Sequence, residues 1–240
     1  AGYSAGFDGG GLLSFESLFV VESTVADNTA GQSGGGIANP AGTLEVTGST
    51  LSGNTAAAAG GGMYNPAGAR ADLLNVTVSG NVADRGGGIY TGGALTLTSS
   101  TVAANAAPTA GAIYDSGTSG ETPRSITSTL IEGECDGSPF DSGGYNLAST
   151  SNTCWFDQDT DRVATEAQLN LGPLDDNGGP TMTHAPGAGD FGDASDAIDR
   201  IPSDACLDAE GMALTTDQRG EPRPAGDSSA CDVGALEVQP

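Results

Sequence analysis

Residues 34–56 read GGGIANPAGTLEVTGSTLSGNTA, and residues 86–105 read GGGIYTGGALTLTSSTVAAN. Both stretches run through the same series: a glycine triplet, an apolar residue, a short alternating segment, a Thr-apolar pair and an asparagine. In Leu44-Glu45-Val46-Thr47 and Leu95-Thr96-Leu97-Thr98, apolar and polar residues alternate with period 2, which is the signature of a strand with one buried face. A unit this short cannot bury its apolar face alone. Stacked on like units at a strand spacing of about 4.8 Å, it can.

Working outward, the same phase extends over the first half of the chain. Thr24-Val25, Thr50-Leu51, Thr77-Val78, Thr101-Val102 and Thr129-Leu130 stand 26, 27, 24 and 28 residues apart. Four residues after the first four threonines come Asn28, Asn54, Asn81 and Asn105; four residues before them come Val20, Val46, Leu73 and Leu97. Two positions earlier stand Leu18, Leu44, Ala71 and Leu95. Glycine triplets precede Leu12, Ile37, Met63 and Ile89, and a degraded copy reads Gly111-Ala112-Ile113. Internal repetition of this length predicts a solenoid. Leucine-rich repeats have similar lengths but carry more leucine and a helical half, so the prediction is a right-handed parallel β-helix of about five rungs. Asn28, Asn54, Asn81 and Asn105 are expected to form a structural ladder, their amides hydrogen-bonding along the coil axis. The glycines are expected at sharp corners and positive φ, not in a phosphate-binding loop, since no helix follows them.

Composition agrees with a thin, serial core. Of 240 residues, 39 are glycine and 5% are aromatic, too little bulk for one large core and too much glycine for long helices. Acids number 31 against 7 arginines, for a net charge of -24. Such a chain repels phosphate backbones and anionic lipid, so nucleic acid is excluded as a partner. Four cysteines fall into two local pairs, Cys135 with Cys154 and Cys206 with Cys231; without CxxC and with one histidine, disulfides are expected rather than zinc. Three connectivities are open, of which the sequential one closes the shortest loops. The chain starts at Ala1 and has no apolar run of about 18 residues, so a mature exported protein is expected, with no direct membrane insertion within these residues.

From about residue 135 the phase is lost, and proline, aspartate and both cysteine pairs enter. Residues 1–134 are therefore assigned to the repeats and 135–240 to a disulfide-bonded C-terminal cap packed on the solenoid, closing the open edge of the last rung. Within the cap a short helix is expected near 164–170, and Trp155 is placed in its core. The first rung has no comparable cap in these residues, and its end is expected to be either covered by residues outside this sequence or used for assembly.

Gly144-Tyr145-Asn146-Leu147, Leu171-Gly172-Pro173-Leu174, residues 176–181 (DNGGPT), Thr183-His184, Ala197-Ile198-Asp199, residues 216–220 (TDQRG), Pro222-Arg223-Pro224 and residues 231–237 (CDVGALE) stand in that order. This series resembles the choice-of-anchor Q domain of bacterial surface proteins, while the repeats look like those of polymorphic outer-membrane-protein β-helices. The resemblance implies an exported parallel β-helix with a variable anchor, and no catalytic residues.

Few residues point to chemistry. Asp157, Asp159 and Asp161 alternate in DQDTD and could offer oxygen ligands to calcium, although Arg162 stands where an EF-hand needs glycine. No other cofactor is expected. His184 has no GxSxG or neighbouring nucleophile and is read as structural, as is the cluster of Asp217, Arg219 and Arg223. A polysaccharide lyase needs a cationic base and a hydrolase two facing carboxylates. The rungs carry only Arg70, Arg85 and Arg124, and Glu45, Asp72 and Asp84 are not expected to share a column. Ice binding through Thr96 and Thr98 is disfavoured because Glu45 and Asp72 interrupt the array. The expectation is a non-enzymatic extracellular or cell-surface bacterial protein, structural or adhesive, with a self-assembling filament as one form. Its partners would be copies of itself or other matrix components. The alternative is a carbohydrate-binding or polysaccharide-processing β-helix, which an outer column of aromatics would favour.

Overall fold

The computed structural model describes residues 4–6, 8–117, 122–149, 153–187, 189 and 195–239. The chain is a parallel β-solenoid of about five turns with three long faces, each a stack of short strands from successive turns, and a shorter parallel stack of Ser4–Ala5, Thr29–Ala30 and Thr55–Ala56. The first face comprises Leu12–Leu13, Ile37–Ala38, Met63–Asn65, Ile89–Thr91, Ile113–Asp115 and Cys135–Gly137. The second, longer-stranded face comprises Leu18–Val21, Gly42–Thr47, Ala69–Leu74, Ala94–Thr98, Arg124–Thr127 and Asp141–Gly144. The third comprises Thr24–Ala26, Thr50–Ser52, Thr77–Ser79, Thr101–Ala103, Leu130–Ile131, Leu147–Ser149 and Arg162–Ala164.

The repeat columns become the interior. Ile37, Met63, Ile89 and Ile113 line the coil from the first face, Leu44, Val46, Leu73, Leu95 and Leu97 from the second, and Leu51, Val78 and Val102 from the third. Asn28, Asn54 and Asn81 are buried, and the amide ladder runs unbroken: Asn28 Nδ2 donates to Asn54 Oδ1 (2.9 Å), Asn54 Nδ2 to Asn81 Oδ1 (3.0 Å) and Asn81 Nδ2 to Asn105 Oδ1 (2.9 Å). The glycine triplets divide their work. Gly34, the first of its run, takes φ of 70°. A Cβ on the second, Gly35, would stand 2.5 Å from the Gly61 carbonyl of the next turn. Only glycine lets the rungs stack that closely.

A second polar stack escaped the sequence reading. At the corner between the first two faces, buried Asn39 Nδ2 donates to Asn65 Oδ1 (3.0 Å) and Asn65 Nδ2 to Thr91 Oγ1 (3.2 Å). The next residue of that column is Asp115, paired at 2.8 Å with Arg124, and both side chains are fully enclosed. Arg124 stands in the apolar column, directly against Leu95. Burial pushes the Asp115 carboxyl above its ordinary pKa, against the opposing pull of the Gly117 amide and Arg124.

Three expectations need correction. Thr129 is not the fifth member of the threonine column. Leu130 pairs with Thr101 and Ile131 with Val102, while the Thr129 hydroxyl takes the place of Ser100, accepting from Ser100 N. The boundary at 134/135 also falls inside the coil, because Cys135–Gly137, Asp141–Gly144, Leu147–Ser149 and Arg162–Ala164 continue the three faces in parallel. Phe140, Phe156 and the Cys135–Cys154 disulfide pack into the same core as the repeats and plug its end. Trp155, expected in that core, is 61% exposed. Its neighbour Phe156 points inward, and Trp155 itself holds φ at 62°.

The remaining segment turns back along the third face. It opens with the helix Glu166–Leu169, which Thr165 and Gln168 close as a capping box. The second disulfide, Cys206–Cys231, ties its central part together.

Candidate functional site

The third face is covered from the second turn to the last. Thr50, Thr77 and Thr101 point outward and are buried under the returning segment. Gln218 reads two of them: its Nε2 donates to Thr50 Oγ1 (2.9 Å), and its Oε1 accepts from Thr77 Oγ1 (2.6 Å). Thr101 Oγ1 accepts from Ala235 N (3.0 Å). Where the column turns from threonine to Leu130 and Leu147, the contact turns apolar, and Leu169, Ile201, Val233 and the Cys206–Cys231 pair pack there. The TDQRG and CDVGALE motifs thus perform a packing task.

His184 is a latch in this interface. Its Nδ1 lies 2.7 Å from the Gly172 carbonyl and must therefore carry the proton; Nε2, 2.8 Å from Ser79 Oγ, then accepts from that hydroxyl. Burial holds its pKa below the usual 6.5, the Gly172 carbonyl pulling the other way. Among packed elements only Glu132 adds a resolved charge effect, raising it slightly. Because the folded pKa is depressed, the unfolded chain binds the extra proton first, and stability falls as pH drops below 6.5. Between pH 7 and pH 5 the melting temperature of the native protein should fall further than that of His184→Gln. Parallel profiles would show that His184 does not set the acid sensitivity of the interface.

Asp217, Arg219 and Arg223 form the expected staple, with Glu237 as an added member. Arg219 Nη2 sits 2.8 Å from Asp217 Oδ2, and Arg223 Nε sits 3.1 Å from Glu237 Oε2, both of that pair being 1% exposed. The Glu237 carboxylate also accepts from Ala225 N and Asp232 N. Burial raises the pKa of Glu237 and of Asp232 above the ordinary carboxylate range. Glu237 and Arg223 hold each other and backbone groups inside the cover, while Asp232 also borders a small open recess with Asp199 and Asp227.

Asp157, Asp159 and Asp161 are not brought together as a cation cage. Asp161 accepts from Asn146 N (2.9 Å), Ser142 Oγ (2.6 Å) and Gln158 N (3.0 Å), bracing the last turn. Asp157 Oδ1 accepts from Gln158 Nε2. Among the described residues, no group of three or more His, Cys, Asp or Glu side chains converges as metal ligands.

The second face, open except at one edge, carries a trough of about 350 Å³. Its floor is Thr43, Glu45, Arg70, Asp72, Thr96 and Thr98, and Ala209 and Glu210 of the cover overhang it. Contrary to expectation, Glu45 and Asp72 do share a column, as register partners on neighbouring strands. The alignment through Val46 and Leu73 already implied this. Arg70 Nε binds Asp72 Oδ2 at 2.6 Å, and that bond, with the charges of Asp72, Glu210 and Glu45, holds the guanidinium pKa above its ordinary value despite some desolvation.

An outer aromatic column exists as well. Tyr64, Tyr90 and Tyr114 are register partners on the first face, with ring centroids 5.1 and 5.4 Å apart. The Arg85 guanidinium lies 5.7 Å from the Tyr90 ring and 5.8 Å from that of Tyr114. The residue after each Ile or Met of the repeat was the available signal. Tyr90 and Tyr114 stack while Tyr64 tilts by 30° against Tyr90, each pair contributing about 0.5–1.5 kcal/mol. Burial and the stacked Tyr90 raise the Tyr64 phenol pKa.

Four of the largest exposed apolar side chains, Leu13, Phe15, Phe19 and Val21, lie in the first turn. Beside them the coil interior opens in a mouth of about 660 Å³ lined by Leu12, Leu18, Phe19, Val20 and Val25. No helix among the described residues is long and apolar enough to cross a membrane. All four cysteines are paired, which fits an oxidising environment. The chain matches no family model, no curated protein and no solved structure.

Proposed function

We propose that the chain is a non-enzymatic structural or adhesive module of the bacterial cell surface or extracellular matrix, a stiff solenoid that spaces or joins other components. The clasp on the third face carries this reading. Gln218 and Ala235 of the returning segment reach Thr50, Thr77 and Thr101, and the Cys206–Cys231 disulfide ties that segment together. Buried titratable groups that an enzyme would turn toward substrate serve as fasteners here. The resemblance of the C-terminal half to the choice-of-anchor Q domain points the same way, and the net charge of -24 keeps such a rod soluble and apart from polyanions.

A second reading is carbohydrate binding or processing, favoured by the outer column of Tyr64, Tyr90 and Tyr114 and by the adjacent carboxylates of Glu45 and Asp72 in the trough. Hydrolysis needs two carboxyl groups facing each other across a scissile bond, whereas Glu45 and Asp72 stand side by side on neighbouring strands and Asp72 is tied to Arg70. One assay separates the two readings. Incubation with neutral and uronate polysaccharides should release no reducing ends and no unsaturated products. Turnover that disappears in Glu45→Gln would overturn the structural reading and establish the second.

A further inference from the structure

We infer that Tyr64, Tyr90 and Tyr114 are a site of oxidative cross-linking, at which a peroxide-driven one-electron oxidant joins neighbouring turns of the coil through a dityrosine bond. This rests on the structural reading above and goes beyond it by naming a covalent modification that fixes the stack of turns.

Three of the chain's five tyrosines stand in this one column. The members before and after them are Ala38 and Asp136, so the aromatic run occupies three consecutive turns. Each ring is half-buried, which leaves part of it open to a small oxidant. The residues on either side of each ring, Met63 with Asn65, Ile89 with Thr91 and Ile113 with Asp115, are buried in the coil. The backbone beneath the rings is thereby fixed, and the register holds each phenol against its neighbour, with centroids 5.1 and 5.4 Å apart. Arg85 lies over both Tyr90 and Tyr114 and bridges that pair. Positioning of this kind turns a bimolecular encounter into an intramolecular step.

The chemistry balances with peroxide as the only co-reactant. Each of two adjacent phenols gives one electron to the oxidant and its hydroxyl proton to water. The resulting phenoxyl radicals carry spin on the ring carbons beside the one that bears oxygen. Two such carbons join in one C–C bond, and the hydrogen displaced from each moves to its own oxygen and restores the phenol. The two tyrosines have then lost two hydrogen atoms, and one hydrogen peroxide has become two waters. All four cysteines are paired and no free thiol remains to quench a radical, in keeping with an oxidising environment. The turns of a solenoid are held by contacts between neighbours alone, so a bond across two of them resists fraying where hydrogen bonds would open. Tyr64 and Tyr114 lie two turns apart, so every link must use Tyr90.

Dilute protein treated with a peroxidase and hydrogen peroxide should lose two hydrogens for each link, gain the blue emission of dityrosine and remain a monomer near 23.5 kDa. Oxygen added to Trp155 or Met212, both exposed, raises the mass instead, and mass spectrometry of the peptides tells the two reactions apart. Tyr90→Phe keeps the ring and the stack but cannot form the radical, and should lower the emission at least tenfold. Tyr145→Phe, outside the column, should leave it unchanged. The linked protein should melt roughly 5–10 °C higher than the untreated one. No loss of hydrogen, dimers in place of the internal link, emission that persists in Tyr90→Phe, or an unmoved melting temperature would each overturn the cross-linking site. Any of these leaves the structural reading to the polysaccharide assay.

Discussion

Asn81→Ala should lower the stability of the solenoid by about 4 kcal/mol, read as a fall of roughly 10 °C in the melting temperature. Asn81 is completely buried. Its amide nitrogen donates to the Leu51 carbonyl and to Asn105 Oδ1, both at 2.9 Å. Its oxygen accepts from the backbone amide and the side chain of Asn54, at 2.9 and 3.0 Å. Alanine removes both arms and leaves their partners enclosed without water. Each orphaned buried group costs about 1–3 kcal/mol, so the loss exceeds that of an ordinary polar-to-alanine change. The effect should be local before it is global, because each turn of a solenoid leans on its neighbours. Hydrogen exchange at Leu51–Asn54 and Val78–Asn81 should speed up before exchange in the cover. A loss below about 1 kcal/mol would show that the ladder is dispensable.

Arg223→Met should be comparably damaging, but to the cover. The guanidinium is enclosed against Glu237 and also donates from Nη2 to the Gly234 carbonyl at 2.9 Å. Its removal leaves a carboxylate buried without its cation, which costs about 3–5 kcal/mol. The expected readout is rapid proteolysis of residues 165–239 while the coil fragment survives. Adding Glu237→Gln should restore much of the loss, since the amide oxygen still accepts a backbone bond and no charge is stranded. The pH dependence has a definite sign. The folded pKa of Glu237 is already raised by burial, so the folded form takes up its proton first, and the ionised group's penalty fades as pH falls through that folded pKa toward the unfolded value. The deficit of Arg223→Met should therefore be smaller at pH 5 than at pH 8. An unchanged deficit would place the damage in packing alone.

The divide between what could be read in the sequence and what could not follows the physics of the repeat. Thr24, Thr50, Thr77 and Thr101 fall into register in the structure as they do in the sequence, because stacking identical units turns a sequence period into a spatial column. The same logic yields the Asn28–Asn54–Asn81–Asn105 ladder and the apolar lining. Reading failed where the period slipped or a column changed character. Thr129 looked like a fifth threonine until one extra residue moved it to the place of Ser100. Arg124 occupies a leucine column, and only the nearness of Asp115 from another face explains it. Glu45 and Asp72 fall in register because their neighbours Val46 and Leu73 do.

By itself, then, the sequence determined the coil: its strand pattern, its inner ladders and the phase of its first four turns, all set by neighbours one repeat apart. Only the tertiary structure decided which face the aperiodic C-terminal segment covers, that Trp155 stands outside while Phe156 plugs the core, and that Ala209 and Glu210 of that segment overhang a trough holding Glu45 and Asp72 on the second face. Those outcomes rest on contacts between residues as far apart as Thr50 and Gln218. No local pattern or fixed spacing encodes such pairs, and they exist only once the chain has folded back on itself.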